Sequence, residues 1–342
     1  MTTTNGKLKV LVAYNKPASK HTGNNIDFLS EEAVQSEASA VYQALQQLNY
    51  VTDYLPLSDL DEGLQRIRGF HPHIIFNLCE GFRGNAQKEM HVAGLWELLD
   101  LAYTGNTPFT LGLAQNKILT KKLFEAKKIP TPPYQVYVET PKITYLEFPM
   151  IAKPAFEDGS VGITQKSVVW KFEELQQVVN NLLAKYQQPV LIEKFIEGRE
   201  FNISILGNQP ARVLPISEIS FTGLEQEYAP ITSYEAKWLN EHPLYQKTPA
   251  ICPADVPEKL KRRLEDTALQ VYQILSGRDY GRVDVRVDHS DHIHVLEYNP
   301  NPDISLDAGF SRSLKAAGMK YEEFIDFLVH QASNRMTHDH DS

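Results

Sequence analysis

The feature that most constrains the fold is an alternation of strand and helix patterns in the N-terminal part of the chain. Short apolar, β-branched runs occur at residues 8–14, 50–57 and 73–78, and helical patterns separate them. Strands joined by helices predict right-handed crossovers and a parallel sheet, so the chain belongs to the α/β class. No G-x-G-x-x-G turn follows the first run, which disfavours a dinucleotide site there.

Length and breaker residues divide the chain into domains. With 342 residues, two or three domains are expected, and a proline cluster at residues 130–133 marks one boundary. Residues 217–255, which we call the lid segment, are aromatic and proline-broken with little periodicity, as is typical of a lid or binding loop. We predict an N-terminal domain at residues 1–112, a small central α+β subdomain at 113–205, a C-terminal mixed-sheet domain at 206–332 and a tail at 333–342.

Composition excludes several classes of function. The net charge of -9 is spread along the chain, which lacks the basic stripe needed to neutralise a nucleic-acid backbone. No apolar run approaches the ~18 residues of a membrane span, and the polar N-terminus differs from a secretion signal. Cys79 and Cys252 are too few for a disulfide framework or a thiolate zinc site. We therefore expect a cytoplasmic protein without a nucleic-acid or membrane partner.

A predicted hairpin near the C-terminus carries the first chemical signal. If residues 289–292 form a four-residue turn, Asp284 lies opposite Glu297 and Arg282 lies opposite Asn299, all on one face because side chains alternate along a strand. The other face then packs in the core, and it comprises Val283, Val285, Val287, Leu296 and Tyr298.

This face predicts a metal site. Two carboxylates directly opposite each other repel, and a hard cation between them would make the pairing favourable. The oxygen ligands Asp284, Glu297 and Asn299 suit Mg²⁺ or Mn²⁺ rather than zinc. The alternative is a solvated charged face on which Arg282 and Arg286 act as counterions.

Nucleotide-binding features precede the hairpin. Lys153 lies within an apolar run, where an ammonium group needs an anion. The turn "EDGSVGI" follows it, and we call these residues, 157–163, the glycine loop. The loop offers Gly159, Ser160 and backbone N-H groups to phosphate. Glu193 ends an apolar strand, and the backbone from Lys194 to Ile196 can meet an adenine edge, while Glu200 can accept from ribose hydroxyls. Each acid could equally be a surface charge, but their ordered combination favours a nucleotide site.

Taken together, these stretches resemble the ATP-grasp superfamily and, within it, the D-alanine–D-alanine ligase-like branch. The resemblance extends from Val10 to Leu328 and rests on "AQNKILTKKLFEAKKIPTP", "FPMIAKPAFEDGSVGI", "VLIEKFIEGREFNISILGN", "YEAKWL" and "RVDVRVD" with "HVLEYN". It implies an ATP-grasp fold with a Rossmann-like N-terminal domain, and an ATP-dependent ligase that joins a small-molecule carboxylate to an amine through an acyl phosphate. Relatives are commonly homodimers.

The same resemblance implies roles for individual residues. ATP would be the nucleotide, accompanied by two Mg²⁺ or Mn²⁺ ions on Asp284, Glu297 and Asn299. Arg282 would stabilise the tetrahedral oxyanion, and Lys237 of the lid segment would reach the γ-phosphate. Phosphate contacts come from Lys117 and Lys153, with Gly159 and Ser160 in the loop above them, and adenosine contacts come from Glu193, Lys194, Ile196 and Glu200.

Departures from the family pattern lie at the substrate end. Gly159 and Trp238 replace the serine and tyrosine that close the family's lid, so closure must rest on another contact, such as stacking of Trp238. Asp303 replaces a glycine whose N-H helps to bind the oxyanion in the family. Ala308 replaces a serine that binds the carboxylate of the family's second substrate. The N-terminal glycine motif is absent, and Glu31 or Glu32 could stand in for its glutamate. Glu80 and Arg83 follow a parallel strand's carboxyl end, where such sheets bind ligands.

These departures predict a ligase other than an ordinary D-alanine–D-alanine ligase. Three alternatives remain open at this point: a genuine D-alanine–D-alanine ligase, a small-molecule kinase on the same fold, and a non-catalytic ATP-binding protein.

Overall fold

The computed structural model describes residues 7–16, 25–239 and 241–336, without the side chains of residues 25–33. Its N-terminal sheet is parallel, with strand order β2-β1-β3-β4, which confirms the predicted α/β arrangement. Every residue of β3 is buried, as expected for a strand covered on both faces by helices. The elements are β1 (Lys9–Asn15), α1 (Asn25–Gln47), β2 (Val51–Leu57), α2 (Leu60–Phe70), β3 (Ile74–Leu78), α3 (Glu89–Leu98), β4 (Ala102–Tyr103) and α4 (Pro108–Gln115).

The central subdomain is an antiparallel sheet packed against one helix. Its strand order is β5-β8-β6-β7. The apolar face of α6 covers this sheet through Leu175, Val179 and Leu182, which lie in a common core with β6 and β8. The elements are α5 (Lys117–Lys127), β5 (Tyr134–Tyr137), β6 (Met150–Pro154), β7 (Val168–Val169), α6 (Phe172–Tyr186) and β8 (Val190–Lys194).

The C-terminal sheet has the order β12-β11-β9-β13-β14, with β10 paired to β9. It includes β9, which the predicted boundary after residue 205 assigns to the central subdomain. Its described pairings are all antiparallel, whereas the sequence predicts a mixed sheet. Short turns, which reverse the chain, explain the pairings of β9 with β10 and of β13 with β14. The elements are β9 (Gly198–Leu206), β10 (Arg212–Val213), β11 (Ser217–Ile219), α7 (Tyr234–Trp238), α8 (Pro243–Lys247), β12 (Ala250–Ile251), α9 (Glu258–Ile274), β13 (Tyr280–Asp288) and β14 (Ile293–Asn299).

The last helices tie the C-terminal domain to the N-terminal sheet. Helices α10 (Gly309–Ala316) and α11 (Tyr321–Met336) share a core with β1 and β3. The fully buried Asp279 holds the guanidinium of Arg335 with two contacts of 2.8 Å, and Arg335 also donates to the carbonyl of Tyr103. Helix α11 therefore continues beyond residue 332, where the sequence predicts the start of a tail. No helix in the described part of the chain is long and apolar enough to cross a membrane.

The hairpin register is as predicted where it matters for the site. Arg282 pairs with Asn299, and Asp284 pairs with Glu297. The turn occupies residues 289–292, between the ends of β13 and β14.

The path to that register differs from the prediction. Next to the turn, Val285 pairs with Val295, one residue away from the expected partner, and a bulge at Leu296 then restores the predicted pairing of Asp284. The bulge sets two residues of β14 against one of β13. Leu296 was predicted to pack in the core, but the bulge places it elsewhere. It lies beside Glu297 in the lining of the large cleft.

Candidate active site

A cleft of about 820 Å³ lies between the central sheet, the C-terminal sheet and the lid segment. It brings together residues that are distant in sequence, from the glycine loop, β8, the hairpin and residues 303–312. The predicted site residues that line it are Lys153, Gly159, Ser160, Glu193, Lys194, Ile196, Glu200, Lys237, Trp238, Arg282, Asp284, Glu297, Asn299 and Asp303.

The hairpin face is neutralised by protein cations. Arg282 donates to both carboxylate oxygens of Asp284, at 2.7 and 2.8 Å, and Lys117 lies 3.4 Å from Glu297. Asn202 of β9 also donates to Asp284 at 2.8 Å. Burial opposes ionisation of Glu297, but Lys117 and the other cations around it outweigh burial and lower its pKa to about 2. Glu297 is thus held as a carboxylate.

This geometry corrects part of the sequence argument. The opposed acids do not depend on a metal to be tolerated, because Arg282 and Lys117 already compensate them. Arg286, expected as a counterion here, pairs elsewhere.

The donor set still fits a hard divalent cation, since it offers two carboxylic side chains and one amide oxygen, from Asn299, on one face of the cleft. Within the described ranges no group of three His, Cys, Asp or Glu residues could hold a metal ion. An ion bound here would therefore need further oxygens, such as those of a nucleotide's phosphates.

Helix α5 supplies two buried lysines one turn apart. Asn116 caps its N-terminus by accepting from the N-H of Leu119, which places Lys117 in the first turn. Lys117 is 5% exposed and contacts Asp158 and the carbonyl of Glu157 in the glycine loop, both at 2.6 Å. Burial opposes its charge, but Asp158 and Glu297 raise its pKa. Lys117 thus clamps the glycine loop to the hairpin and does not itself line the cleft.

The second lysine, Lys121, belongs to a buried ion cluster that the sequence does not reveal. The carboxylate of Glu193 contacts both Lys121 and Lys153. Burial favours a neutral Glu193, but the two lysines outweigh it and lower its pKa. Burial, opposed by Glu193, lowers the pKa of Lys121 to about 8. The Glu193 carboxylate, predicted beside adenosine, is therefore committed to the lysines.

The segment after β8 is held by a buried arginine. Arg286 of β13 donates to Glu200 at 2.8 and 3.1 Å and to the carbonyl of Ile196 at 2.7 Å. Its guanidinium lies over the ring of Phe195, 4.8 Å from the centroid. Thr232 of the lid segment donates to the other oxygen of Glu200 at 2.9 Å. Glu200 therefore joins the strand, the lid segment and the hairpin.

The remaining member of that segment, Lys194, is tied at its outer end. Its ammonium group lies 2.9 Å from Glu147, whose carboxylate is largely exposed. Its backbone N-H donates to the carbonyl of Pro133 at 2.8 Å.

Two side-chain hydrogen bonds fasten the lid segment to the glycine loop. The indole N-H of Trp238 donates to the carbonyl of Gly159 at 2.9 Å, and the hydroxyl of Ser160 donates to the carbonyl of Thr232 at 2.9 Å. Both loop residues have positive φ, of 62° and 64°, which turns the loop toward the lid segment. Closure thus rests on hydrogen bonds where stacking of Trp238 was expected. Burial and the nearby Arg282 lower the pKa of Lys237, the neighbour of Trp238.

At the substrate end the structure separates the predicted residues. Asp303 lines the cleft and accepts from the N-H and hydroxyl of Ser305 at 2.8 and 2.6 Å. The side chain of Glu80 is exposed, but the surrounding protein removes part of its hydration. This desolvation and the negative charge of Asp303 raise the pKa of Glu80 to about 7. Arg83 is not in the cleft lining, because it pairs with Asp59 at 2.8 Å and donates to the carbonyl of Ser58 at 3.0 Å. Glu32 falls in α1 among the side chains that lie outside the described residues.

Lys121 and Arg286 contribute to the site, and no site role was predicted for them although each carried a signal in the sequence. Lys121 follows Lys117 by four residues on the buried face of α5, where a lysine needs an anion. Arg286 continues the alternation of charged residues after Arg282 and Asp284 along β13. Leu296 had no such signal, because the bulge that exposes it depends on pairing.

Comparison with known proteins identifies the family. The sequence model of the D-ala D-ala ligase C-terminus matches residues 121–330. The chain belongs to the D-alanine–D-alanine ligase family. The D-alanine–D-alanine ligase of Bordetella petrii is 31% identical over 245 residues, which cover 70% of this chain and 71% of that protein. The uncharacterized protein y4sG of Sinorhizobium fredii is 33% identical over 308 residues, 87% of this chain and 88% of its own length.

Solved structures show the same fold. A crystal structure of a D-alanine–D-alanine ligase from Bacillus anthracis complexed with ATP has a TM-score of 0.74 at 19% identity, and it covers 96% of this chain and 99% of its own. Membership of the D-alanine–D-alanine ligase family makes the chain an ATP-dependent, ADP-forming enzyme that forms carbon–nitrogen bonds. Enzymes of this family bind ATP and divalent metal, and they act on small-molecule carboxylate and amine substrates.

Proposed function

We propose that this ligase joins an amino acid or peptide-like carboxylate to an amine other than D-alanine. The first carboxylate attacks the γ-phosphate of ATP and forms an acyl phosphate and ADP. The amine then attacks the acyl carbon, a C–N bond forms, and inorganic phosphate leaves. The observation that carries the proposal is the convergence of Lys153, Arg282, Lys237 and the Asp284–Glu297 pair on one cleft.

The nucleotide would lie between the central and C-terminal sheets. Lys153 and the N-H groups of the glycine loop face its phosphates, while Ile196 and Leu296 offer apolar surface to adenine. Lys117 acts by holding the loop, through Asp158 and the carbonyl of Glu157.

Asp284, Glu297 and Asn299 would hold Mg²⁺ or Mn²⁺, in a pair of ions, beside the phosphates. Bound there, the ions would neutralise charge on the transferred phosphoryl group. Arg282, held in place by Asp284, would offer its remaining N-H groups to the reacting carboxylate and stabilise the oxyanion that forms when the amine attacks.

The substrate end supports an acceptor other than D-alanine. Asp303 places a carboxylate in the lining where the family has a glycine, and Ala308, at the N-terminus of α10, offers no hydroxyl to grip an acceptor's carboxylate. Arg312 lines the same end of the cleft and can attract an anionic group.

A phosphate-release screen tests the proposal. Amino acids, dipeptides and small carboxylates would be offered in pairs with ATP and Mg²⁺, with D-alanine alone as the reference. We expect inorganic phosphate only when both a carboxylate and an amine are present, and little from D-alanine alone. Rapid D-alanyl-D-alanine synthesis would refute the proposed acceptor, product-bound phosphate would indicate a kinase, and no turnover with any pair would favour a binding protein.

A further inference from the structure

The ion cluster of Lys121, Glu193 and Lys153 has an unusual charge balance. All three side chains are buried, at 1%, 1% and 6% exposed. One carboxylate contacts both ammonium groups, so the cluster carries one net positive charge. Lys153 is the member closest to solvent, and both Lys153 and Glu193 line the cleft while Lys121 does not. The excess positive charge of the cluster therefore lies at the wall of the cleft, with Lys121 behind the two residues that line it.

Lys121 is also fixed from its other side. Its ammonium group donates to the hydroxyl of Thr131 at 2.5 Å and to the carbonyl of Val295 at 3.3 Å. Thr131 donates to the same carbonyl at 2.8 Å, and the N-H of Val295 donates to the carbonyl of Pro130 at 2.8 Å. Val295 directly precedes the bulged Leu296. Lys121 thus connects the central sheet to β14, the strand that carries Glu297.

We propose that Lys121 is a positioning residue for nucleotide phosphates, acting through Glu193 on Lys153. The inference rests on the proposed placement of ATP phosphates at Lys153. With Lys121 present, Glu193 is shared, and Lys153 retains charge to offer to an anion. Without Lys121, Glu193 and Lys153 form a neutral buried pair, which holds Lys153 to Glu193 and removes its attraction for phosphate.

Charge restoration distinguishes this role from a merely structural one. Lys121→Met removes the positive charge, and Lys121→Met combined with Glu193→Gln restores the net charge of the cluster to one. A purely structural role predicts that the double variant is no better than the single one. A positioning role predicts that the double variant regains phosphate binding.

The experiment measures binding of Mg-ADP and of adenosine by calorimetry to the full-length protein. We expect Lys121→Met to weaken Mg-ADP binding by roughly 10- to 100-fold, the value of a lost charge-assisted hydrogen bond, with adenosine affinity little changed. Lys121→Arg and the double variant should remain within several-fold of the parent. Lys122→Met, an exposed neighbour on α5, is the matched control and should bind normally.

Lys153→Met separates this inference from the proposed function. If Lys153→Met leaves Mg-ADP binding unchanged, the phosphates do not lie at Lys153 and both proposals fall. If Lys153→Met weakens binding but Lys121→Met does not, only the inference is overturned. Should Lys121→Met fail to fold, the double variant decides, because Lys153 lines the cleft and can still donate to the side-chain oxygen of the glutamine that replaces Glu193: near-parental Mg-ADP binding supports the inference, and a loss of tenfold or more overturns it.

Discussion

Trp238→Phe isolates one of the two side-chain hydrogen bonds that hold the lid segment closed. Phenylalanine keeps an aromatic ring beside Gly159 and removes the indole N-H that donates to the Gly159 carbonyl at 2.9 Å. A net hydrogen bond contributes about 0.5–1.5 kcal/mol, which corresponds to a decrease of roughly 2- to 12-fold in the ratio of closed to open lid. Ser160→Ala removes the other bond and should have an effect of similar size.

Hydrogen exchange at the Tyr234 amide measures that ratio directly. This N-H donates to the carbonyl of Ile163 at 2.8 Å, so it exchanges only when the lid segment leaves the glycine loop. We expect exchange to accelerate by the same 2- to 12-fold in Trp238→Phe, and by the product of both factors when Ser160→Ala is added. Trp170→Phe, at a mostly exposed tryptophan, serves as the control. Unchanged protection in both single variants would show that these bonds do not hold the lid segment.

The other predictions concern the metal face, a titrating acid and a residue outside the cleft. Asp284→Asn should weaken the Mg²⁺-dependent part of ATP binding by roughly 10- to 100-fold, checked by titration with Mg²⁺ and with EDTA, and an unaltered magnesium dependence would contradict the metal assignment. The raised pKa of Glu80 means that its ionisation destabilises the fold as pH rises from about 4.5 to about 7, so Glu80→Gln should raise the thermal unfolding temperature at pH 8 but not at pH 4. Equal shifts at both pH values would exclude that origin. Arg83→Ala should leave ADP binding unchanged and cost about 1 kcal/mol or less in unfolding free energy, because its pair with Asp59 is exposed; weaker ADP binding would return Arg83 to the site.

The hairpin shows how far pattern alone can reach. Period-two alternation placed Asp284 opposite Glu297, and the structure agrees. The agreement arose because two departures offset each other: the pairing next to the turn is shifted by one residue, and the bulge at Leu296 shifts it back. Neither the shifted pairing nor the bulge can be recognised in the local sequence, because a bulge is stabilised by the residues against which the strand packs.

Some residues of the site could likewise be predicted from the local sequence, whereas the partners of others could not. Lys153, the glycine loop and the hairpin acids were predictable, because a buried lysine, a glycine turn and opposed carboxylates are unusual in their own sequence surroundings. The partners of Glu193, Arg83 and Trp238 were not. Each is bonded to a residue far along the chain, and many residues of the right charge or polarity were available to it.

The order of strands and helices, the parallel N-terminal sheet, and the shared side of Arg282 with Asp284 on one strand and of Glu297 with Asn299 on the next were determined by the sequence itself. Hydrophobic periodicity and alternation act over a few residues, so they can be recognised without knowing the fold. Tertiary structure alone decided which cation neutralises which acid, how the lid segment is fastened, and that Lys121 meets Val295, a residue 174 positions away. Such contacts depend on how whole sheets pack against one another, and the final direction of a long charged side chain is set by the partners that this packing brings within reach.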